Sequence, residues 1–111
     1  MELWQEIIDK QDLLTKAVSE LKERGRNYAT AYKNYRMLLA KELLKLRDEG
    51  MAVTIAYDVA RGKEEIASAK EQEIITESLY KSCSEAINVY KLQLKILENQ
   101  YEREWGQSKN G

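Results

Sequence analysis

Few side chains in this sequence could take part in catalysis, because its 111 residues include no histidine and a single cysteine, Cys83. Ser-His and Cys-His catalysis both need a histidine, as do the carboxylate-histidine metal sites of helical bundles. Cys83 falls at an apolar position of a helical repeat, where a cysteine is usually a small buried hydrophobe. The glycines at 25, 50 and 62 are isolated, which excludes a phosphate-binding loop. We therefore expect no enzyme activity, no metal and no cofactor.

Two glutamates, Glu42 and Glu73, are the remaining candidates for acid-base or metal chemistry. Both fall on the apolar seams described below, so they are expected to approach each other across a pair of helices. A buried carboxylate pair can be catalytic. Charged residues on a helical seam more often set the register or reach water from the seam's edge. We interpret this pair as structural.

A basic stretch with interleaved tyrosines is the best candidate for binding nucleic acid, since phosphates attract Lys and Arg and bases stack on aromatic rings. The tyrosines here also fit an apolar helical seam, and acidic residues between 64 and 77 are expected to lie alongside and weaken the basic field. Nucleic-acid binding is therefore the less favoured interpretation. The candidate contacts are Lys22, Arg24, Arg26, Lys33 and Arg36.

The elements that carry these residues are two long helices. On the first long helix, positions that are mostly apolar or tyrosine recur with a four-then-three spacing and form a seam. A second such seam runs from Ile66 to Glu104. This spacing is typical of coiled coils and bundles, and no strand pattern produces it. The chain has no proline, so nothing forbids helices of this length. The first seam consists of Ile7, Gln11, Leu14, Val18, Leu21, Gly25, Tyr28, Tyr32, Tyr35, Leu39, Glu42 and Leu46.

We predict an all-α fold: a long, coiled-coil-like antiparallel hairpin with a short helix at the turn. The helices are expected at residues 2–49, 54–61 and 63–105 of one domain, residues 1–106, followed by a frayed tail, residues 107–111. Gly50 suits the left-handed position after a helix, Thr54 can cap the short helix, and Gly62 can end it. If the two long helices pair antiparallel around the turn, the numbers of any two facing residues should sum to about 112.

The turn helix and Gly25 carry two further expectations. The short helix has an apolar side that should plug the closed end of the hairpin, formed by Val53, Ile55, Ala56 and Val59.

A glycine inside a helix costs about 1 kcal/mol, so the first helix could break near Gly25. Such a break would give a three-helix bundle instead of the hairpin. The seam keeps its phase through Gly25, which favours a continuous helix.

A second apolar stripe on the last helix predicts self-association. Helices that are apolar on two sides belong in bundles of three or more, and monomers seldom expose such a strip. We expect a homo-oligomer, with a dimeric four-helix bundle favoured. The predicted interface residues are Ile75, Leu79, Ala86, Val89 and Ile96.

Charge and hydropathy predict a cytoplasmic protein that does not enter a membrane. The net charge is −1, and a single cysteine suits a reducing compartment. No apolar run approaches the roughly 20 residues that cross a bilayer. The acidic start of the sequence lacks the order of a secretory signal.

Four short motifs resemble those of small uncharacterised helical proteins from temperate phages and prophages of Gram-positive bacteria. They are LRDEG at residues 46–50, ARG at 60–62, LYK at 79–81 and LENQYEREW at 97–105. The resemblance implies a phage or prophage origin and a place in the cytoplasm of a bacterial host cell. It implies a role in replication, recombination or host interaction, and it brings no active-site residues with it.

These features predict a non-enzymatic helical interaction module that acts as an oligomer and has an unknown protein partner. One alternative is an accessory factor of phage DNA replication or recombination that binds nucleic acid directly. Another alternative is an inhibitor of a host enzyme or defence system.

Overall fold

Three helices make up the part of the chain that the structure, a computed structural model, describes: the backbone of residues 2–110 and the side chains of residues 2–106. Helix α1 spans Glu2–Asp48, α2 spans Val53–Gly62 and α3 spans Glu64–Asn110. No strand occurs among residues 2–110, so the all-α prediction is confirmed. The two long helices contain 47 residues each, because no proline interrupts the ladder of backbone hydrogen bonds.

The ends of the helices differ from the predicted ends by small amounts. Helix α2 follows Ala52, whose side chain makes no capping hydrogen bond, so Thr54 does not cap it. Helix α3 continues through Gly106 to Asn110, past the predicted end at residue 105. A helical glycine costs only about 1 kcal/mol, and no proline follows it. The side chains of residues 107–110 and all of Gly111 lie outside the described residues.

Helix α1 is unbroken at Gly25, so the three-helix alternative is excluded. It ends in a Schellman motif, in which the Met51 N–H donates to the Leu46 carbonyl and the Gly50 N–H donates to the Arg47 carbonyl. Gly50 has a φ of 91°, the left-handed conformation that the sequence predicted for it.

The chain divides into two compact units. Unit 1 combines the part of α1 up to Glu23 with the part of α3 from Lys81 onward, and unit 2 is Arg24–Tyr80. In both units α1 and α3 run antiparallel, since partner numbers rise along one helix as they fall along the other. Unit 1 pairs Trp4 with Tyr101. Unit 2 has these pairs: Gly25 with Tyr80, Tyr35 with Lys70, and Glu42 with Lys63.

The predicted register of facing residues is wrong by about one heptad. Those four pairs have numbers that sum to 105 rather than to about 112, and the other contacts between α1 and α3 have sums from 100 to 108. A shift of seven residues still places seam against seam, so the sequence pattern does not distinguish the two registers. In unit 2 the last turns of α1 extend beyond the start of α3 and pack against α2, whose Ala56 and Ala60 are fully buried.

The seam predicted for α3 is confirmed along most of its length, and on α1 nine of the twelve predicted seam positions are buried or half-buried. On α3, the seam positions from Ile66 to Tyr101 are buried or half-buried. On α1, Val18 and Tyr32 are exposed, and their neighbours Ala17 and Ala31 are buried instead. Gln11 is exposed in the same way. The inner face of α1 therefore alternates small residues with larger ones.

Helix α2 also places small residues inward, contrary to the predicted plug. Of the four apolar residues expected to face the hairpin, only Ala56 is buried, and the second buried position is Ala60. The bulkier Val53, Ile55 and Val59 are exposed. Alanine is preferred at the contact because α2 lies close to both α1 and α3, with both alanines in the same apolar cluster as Leu46 and Ile66.

Candidate functional site

The residues predicted to form an oligomer interface lie on α3 and are not covered by the chain. In unit 2, Ile75 and Leu79 are 43% and 47% exposed. In unit 1, Val89 and Ile96 are 48% and 56% exposed, and Ala86 is half-buried. Burying large apolar side chains is favourable by about 1.5–3 kcal/mol each. These surfaces are therefore available for a partner.

An open groove in unit 1 runs between α1 and α3 beside Ile96. Its volume is ≈ 430 Å³, and its apolar residues are Leu13, Ile96 and Leu97. The polar residues that line it are Glu6, Asp9, Lys10 and Gln93. Leu13 is itself 42% exposed. The lining of the groove thus combines apolar and charged side chains, the composition at which amphipathic helices dock.

Acidic side chains dominate the rim of this groove and its continuation. A second concavity shares Glu6 with the first and is also lined by Glu2 and Glu104. Asp9 accepts a hydrogen bond of 2.8 Å from the Gln5 amide. Among the described side chains, no ion pair involves these carboxylates. We call this combined surface the acidic groove.

Aromatic residues flank the acidic groove in unit 1. The rings of Trp4 and Tyr101 are 5.5 Å apart between centroids and tilted by 44°, a stabilising arrangement of two rings. The Lys10 ammonium lies 5.7 Å from the centre of the Tyr90 ring, which holds the lysine of the rim against α3. Trp105 is 60% exposed. Exposed tryptophan is typical of protein interfaces.

The basic residues predicted to contact nucleic acid do not share one face of α1. Arg24 has a structural role, because its guanidinium donates a 3.0 Å hydrogen bond to the Leu79 carbonyl. At 3.6 residues per turn, Arg24 points about 180° away from Lys33. Lys22, in unit 1, is exposed. Arg26, Lys33 and Arg36, in unit 2, are also exposed.

Two apolar residues lie among the three outward-facing basic residues of unit 2. Arg26, Lys33, Arg36, Met37 and Leu44 fall within about 100° of arc on α1, and we call this surface the basic arc. Met37 and Leu44 are 63% and 68% exposed. No ion pair is found for the three basic residues within the described part of the chain. The weakening of their field by direct pairing with acidic residues of α3 is thus not observed.

Glu42 and Glu73 are each paired with a lysine rather than with each other. Lys63 donates a hydrogen bond to Glu42, and this bond holds the Glu42 pKa below its ordinary value of 4.5. Burial opposes that shift, and the charges of Lys63 and Lys45 add to it. Glu73 is buried and lies 3.3 Å from the Lys70 ammonium. The one-heptad register explains the separation, since it places Lys63 opposite Glu42.

Cys83 has the structural environment predicted for it. It is buried in unit 1, and its thiol donates a 3.3 Å hydrogen bond to the Ala17 carbonyl. A sulfur can approach the α1 backbone this closely because the residue there is alanine. The cysteine therefore contributes to packing in unit 1.

The acidic groove and the basic arc were only partly visible in the sequence. Leu13, Met37 and Leu44 are apolar residues outside the predicted α1 seam, and this was the signal for exposed apolar surface. The acidic residues around Leu13 are spaced at 2, 6 and 9, a helical spacing that sequence reasoning did not use.

Within the described residues, no group of three or more Cys, Asp or Glu side chains is placed to hold a metal ion. Over the same part of the chain, no helix has an apolar stretch long enough to span a bilayer. Comparison with protein-family models, with curated protein sequences and with solved structures gives no match to this chain.

Proposed function

We propose that this protein is a non-enzymatic helical interaction module that acts as an oligomer of identical chains. The observation that carries the proposal is the exposure of Ile75, Leu79, Val89 and Ile96 on α3. Packing these residues against a second copy removes apolar surface from water on both chains at once. A twofold-symmetric contact satisfies both copies with the same surface.

The thin core of the single chain supports the same proposal. Among the described residues, twelve apolar residues are buried, and five of them are alanines. By contrast, seventeen large apolar side chains are exposed. Stability comes mainly from burying large apolar groups, so the chain has more to gain from assembly than from its own interior.

A phage or prophage origin is part of the proposal and rests on the motifs at residues 46–50, 60–62, 79–81 and 97–105. On that basis the protein acts in the cytoplasm of a bacterial host cell, where the assembled helices present surfaces to a further protein. Affinity capture from host lysate, compared with capture by an assembly-deficient variant, identifies that protein.

Light scattering on a sizing column tests the assembly. At about tens of micromolar, the wild-type mass should be twice that of one chain or a higher multiple. Leu79→Glu combined with Val89→Glu places charges on the exposed apolar positions and should shift the protein towards monomer. The matched control, Asn34→Glu with Asn88→Glu, adds two charges at other exposed positions and should leave the mass unchanged.

A monomeric wild-type protein would contradict the proposal. An oligomer whose mass is unaffected by Leu79→Glu and Val89→Glu would place the interface elsewhere on the chain.

Nucleic-acid binding is a second candidate function, favoured by the unpaired exposed charges of Arg26, Lys33 and Arg36. Contacts to about three phosphates give weak affinity that falls steeply with salt. We expect replacement of all three by Gln to abolish retention of a DNA duplex at low salt. The control, Lys91→Gln with Lys95→Gln on α3, should retain it. Tight binding at physiological salt would make nucleic acid the preferred ligand.

A further inference from the structure

The acidic groove of unit 1 and the basic arc of unit 2 are opposite in charge, and the first is concave whereas the second is convex. The groove is lined by apolar residues, Leu13 with Ile96 and Leu97, and by carboxylates. The arc has two large apolar side chains, Met37 and Leu44, bordered by basic groups. One surface is a concavity between two helices, and the other is the convex outer face of a helix.

We propose that the acidic groove binds the basic arc of a second copy of this chain. The inference rests on the proposed oligomeric function and adds a second contact, between two different surfaces, to the contact that the apolar residues of α3 make. Met37 and Leu44 are seven residues apart, so they project from one face about two turns apart, as the anchors of a helix docked in a groove do.

The charges around these anchors favour the same pairing. Between residues 24 and 47 the chain has seven Lys or Arg residues and one acidic residue, Glu42, and Glu42 is already paired with Lys63. The groove has Glu2, Glu6, Asp9 and Glu104 against one lysine, Lys10, which lies over a tyrosine ring. Docking would bring unpaired charges of opposite sign together at the rim of an apolar contact, which steers association and selects the partner.

A second copy is the favoured occupant because each chain carries both surfaces and has a net charge of only −1. The chain as a whole therefore attracts neither polyanions nor polycations strongly. A contact between two different surfaces either closes into a ring or continues as a filament. The pairing accordingly predicts an oligomer whose assembly weakens as salt is added, because the rim charges are exposed and screened.

Charge reversal with reconstitution tests the pairing. Variant A is Glu6→Lys with Asp9→Lys, and variant B is Lys33→Glu with Arg36→Glu. In variant A both surfaces are basic, and in variant B both are acidic, so each variant alone should have a lower mass than the wild type at the same concentration. A one-to-one mixture restores opposite charges at each contact, so light scattering should again report the wild-type mass.

Glu64→Lys with Glu71→Lys provides the matched control, since both residues are exposed on α3 outside the groove. This control changes the charge as much as variant A does and should leave the assembled mass unchanged. Circular dichroism verifies that each variant is helical. If a reversal variant does not fold, the neutral pairs Glu6→Gln with Asp9→Gln and Lys33→Gln with Arg36→Gln replace it. Each neutral pair should raise the dissociation constant at least tenfold.

Four results would overturn the inference. If the wild type assembles and both charge-reversed variants assemble equally well, the proposed oligomer stands and this pairing is wrong. If the mixture has no larger mass than either variant alone, the two surfaces do not contact each other. If variant B loses DNA retention and keeps its assembled mass, the basic arc binds nucleic acid. A monomeric wild type would overturn the proposed function together with the inference.

Discussion

Small residues determine where α1 and α3 meet in each unit. In unit 1, Ala17 is buried against Cys83 while its neighbour Val18 is exposed. In unit 2, Gly25 lies against the ring of Tyr80. The α3 seam carries bulky tyrosines, so short side chains on α1 make room for them at these two points. Steric fit between the helices, rather than hydrophobicity alone, selects the inward positions.

Gly25 should not tolerate a large side chain, although it lies inside a helix. A Cβ added there would be 3.2 Å from Cε2 of Tyr80, and that ring also stacks at 6.2 Å on Tyr28. Gly25→Leu gains helix propensity but overpacks this contact, so we expect a net loss of about 1–3 kcal/mol in the free energy of unfolding. Urea denaturation measures it. The control Ala29→Leu, at an exposed α1 position, should change stability by less than about 0.5 kcal/mol.

The pairing of Glu42 with Lys63 should make stability depend on pH in the acid range. The Glu42 pKa is lowered in the folded state, so the pairing stabilises the protein at pH values above the ordinary pKa of 4.5. The stabilisation is lost as pH falls through the folded pKa. Lys63→Gln should therefore lower stability at pH 7 and leave it unchanged at low pH. The control Lys41→Gln, at an exposed position of α1, should not change stability in this pH-dependent way. Equal losses at both pH values would contradict this account.

At the scale of the element, α2 packs closely against the parts of α1 and α3 that belong to unit 2. Its inward residues, Ala56 and Ala60, have no exposed surface. Its bulky residues flank the contact and remain exposed. Both alanines lie in the same apolar cluster as Leu46 of α1 and Ile66 of α3.

Enlarging the inward face of α2 should be more harmful than enlarging its outward face. Ala60→Leu adds three heavy atoms at a fully buried contact, and we expect a loss of about 1–3 kcal/mol in the free energy of unfolding. The control Val59→Leu changes an exposed side chain on the same helix and should be nearly neutral. Denaturation of both variants provides the comparison. A neutral effect of Ala60→Leu would mean that α2 does not pack closely in solution.

At the scale of the whole molecule, more large apolar side chains are exposed than apolar residues are buried among the described residues. Only alanines, a few branched residues, Cys83 and Tyr35 are buried among the described apolar side chains. The proposed assembly would cover part of the exposed surface. Assembly and stability are then linked, because a partner that binds only the folded chain stabilises that chain.

The melting temperature should therefore rise with protein concentration. We expect a tenfold dilution of the wild type to lower it measurably in thermal scans followed by circular dichroism, since dissociation accompanies unfolding. Leu79→Glu with Val89→Glu should have a lower melting temperature that no longer depends on concentration. A wild-type melting temperature independent of concentration, with a monomeric mass, would show that the single chain is stable alone.

The sequence by itself determined the helical elements of this protein. A missing proline and a seven-residue period require long helices, and Gly50 ends α1 in the predicted left-handed conformation. The α3 seam, the burial of Cys83 and the existence of exposed apolar positions on α3 were also predictable, because helical periodicity is a local property of the chain.

Only the tertiary structure decided how the helices fit. A seven-residue period is satisfied equally by registers one heptad apart, so it does not select between them. Ala17 rather than Val18 is buried, and this depends on which α3 residue lies opposite. Glu42 likewise pairs with Lys63 rather than with Glu73 because of the residue that lies opposite it. These outcomes depend on contacts between residues distant in sequence, whose steric and charge complementarity no local pattern encodes.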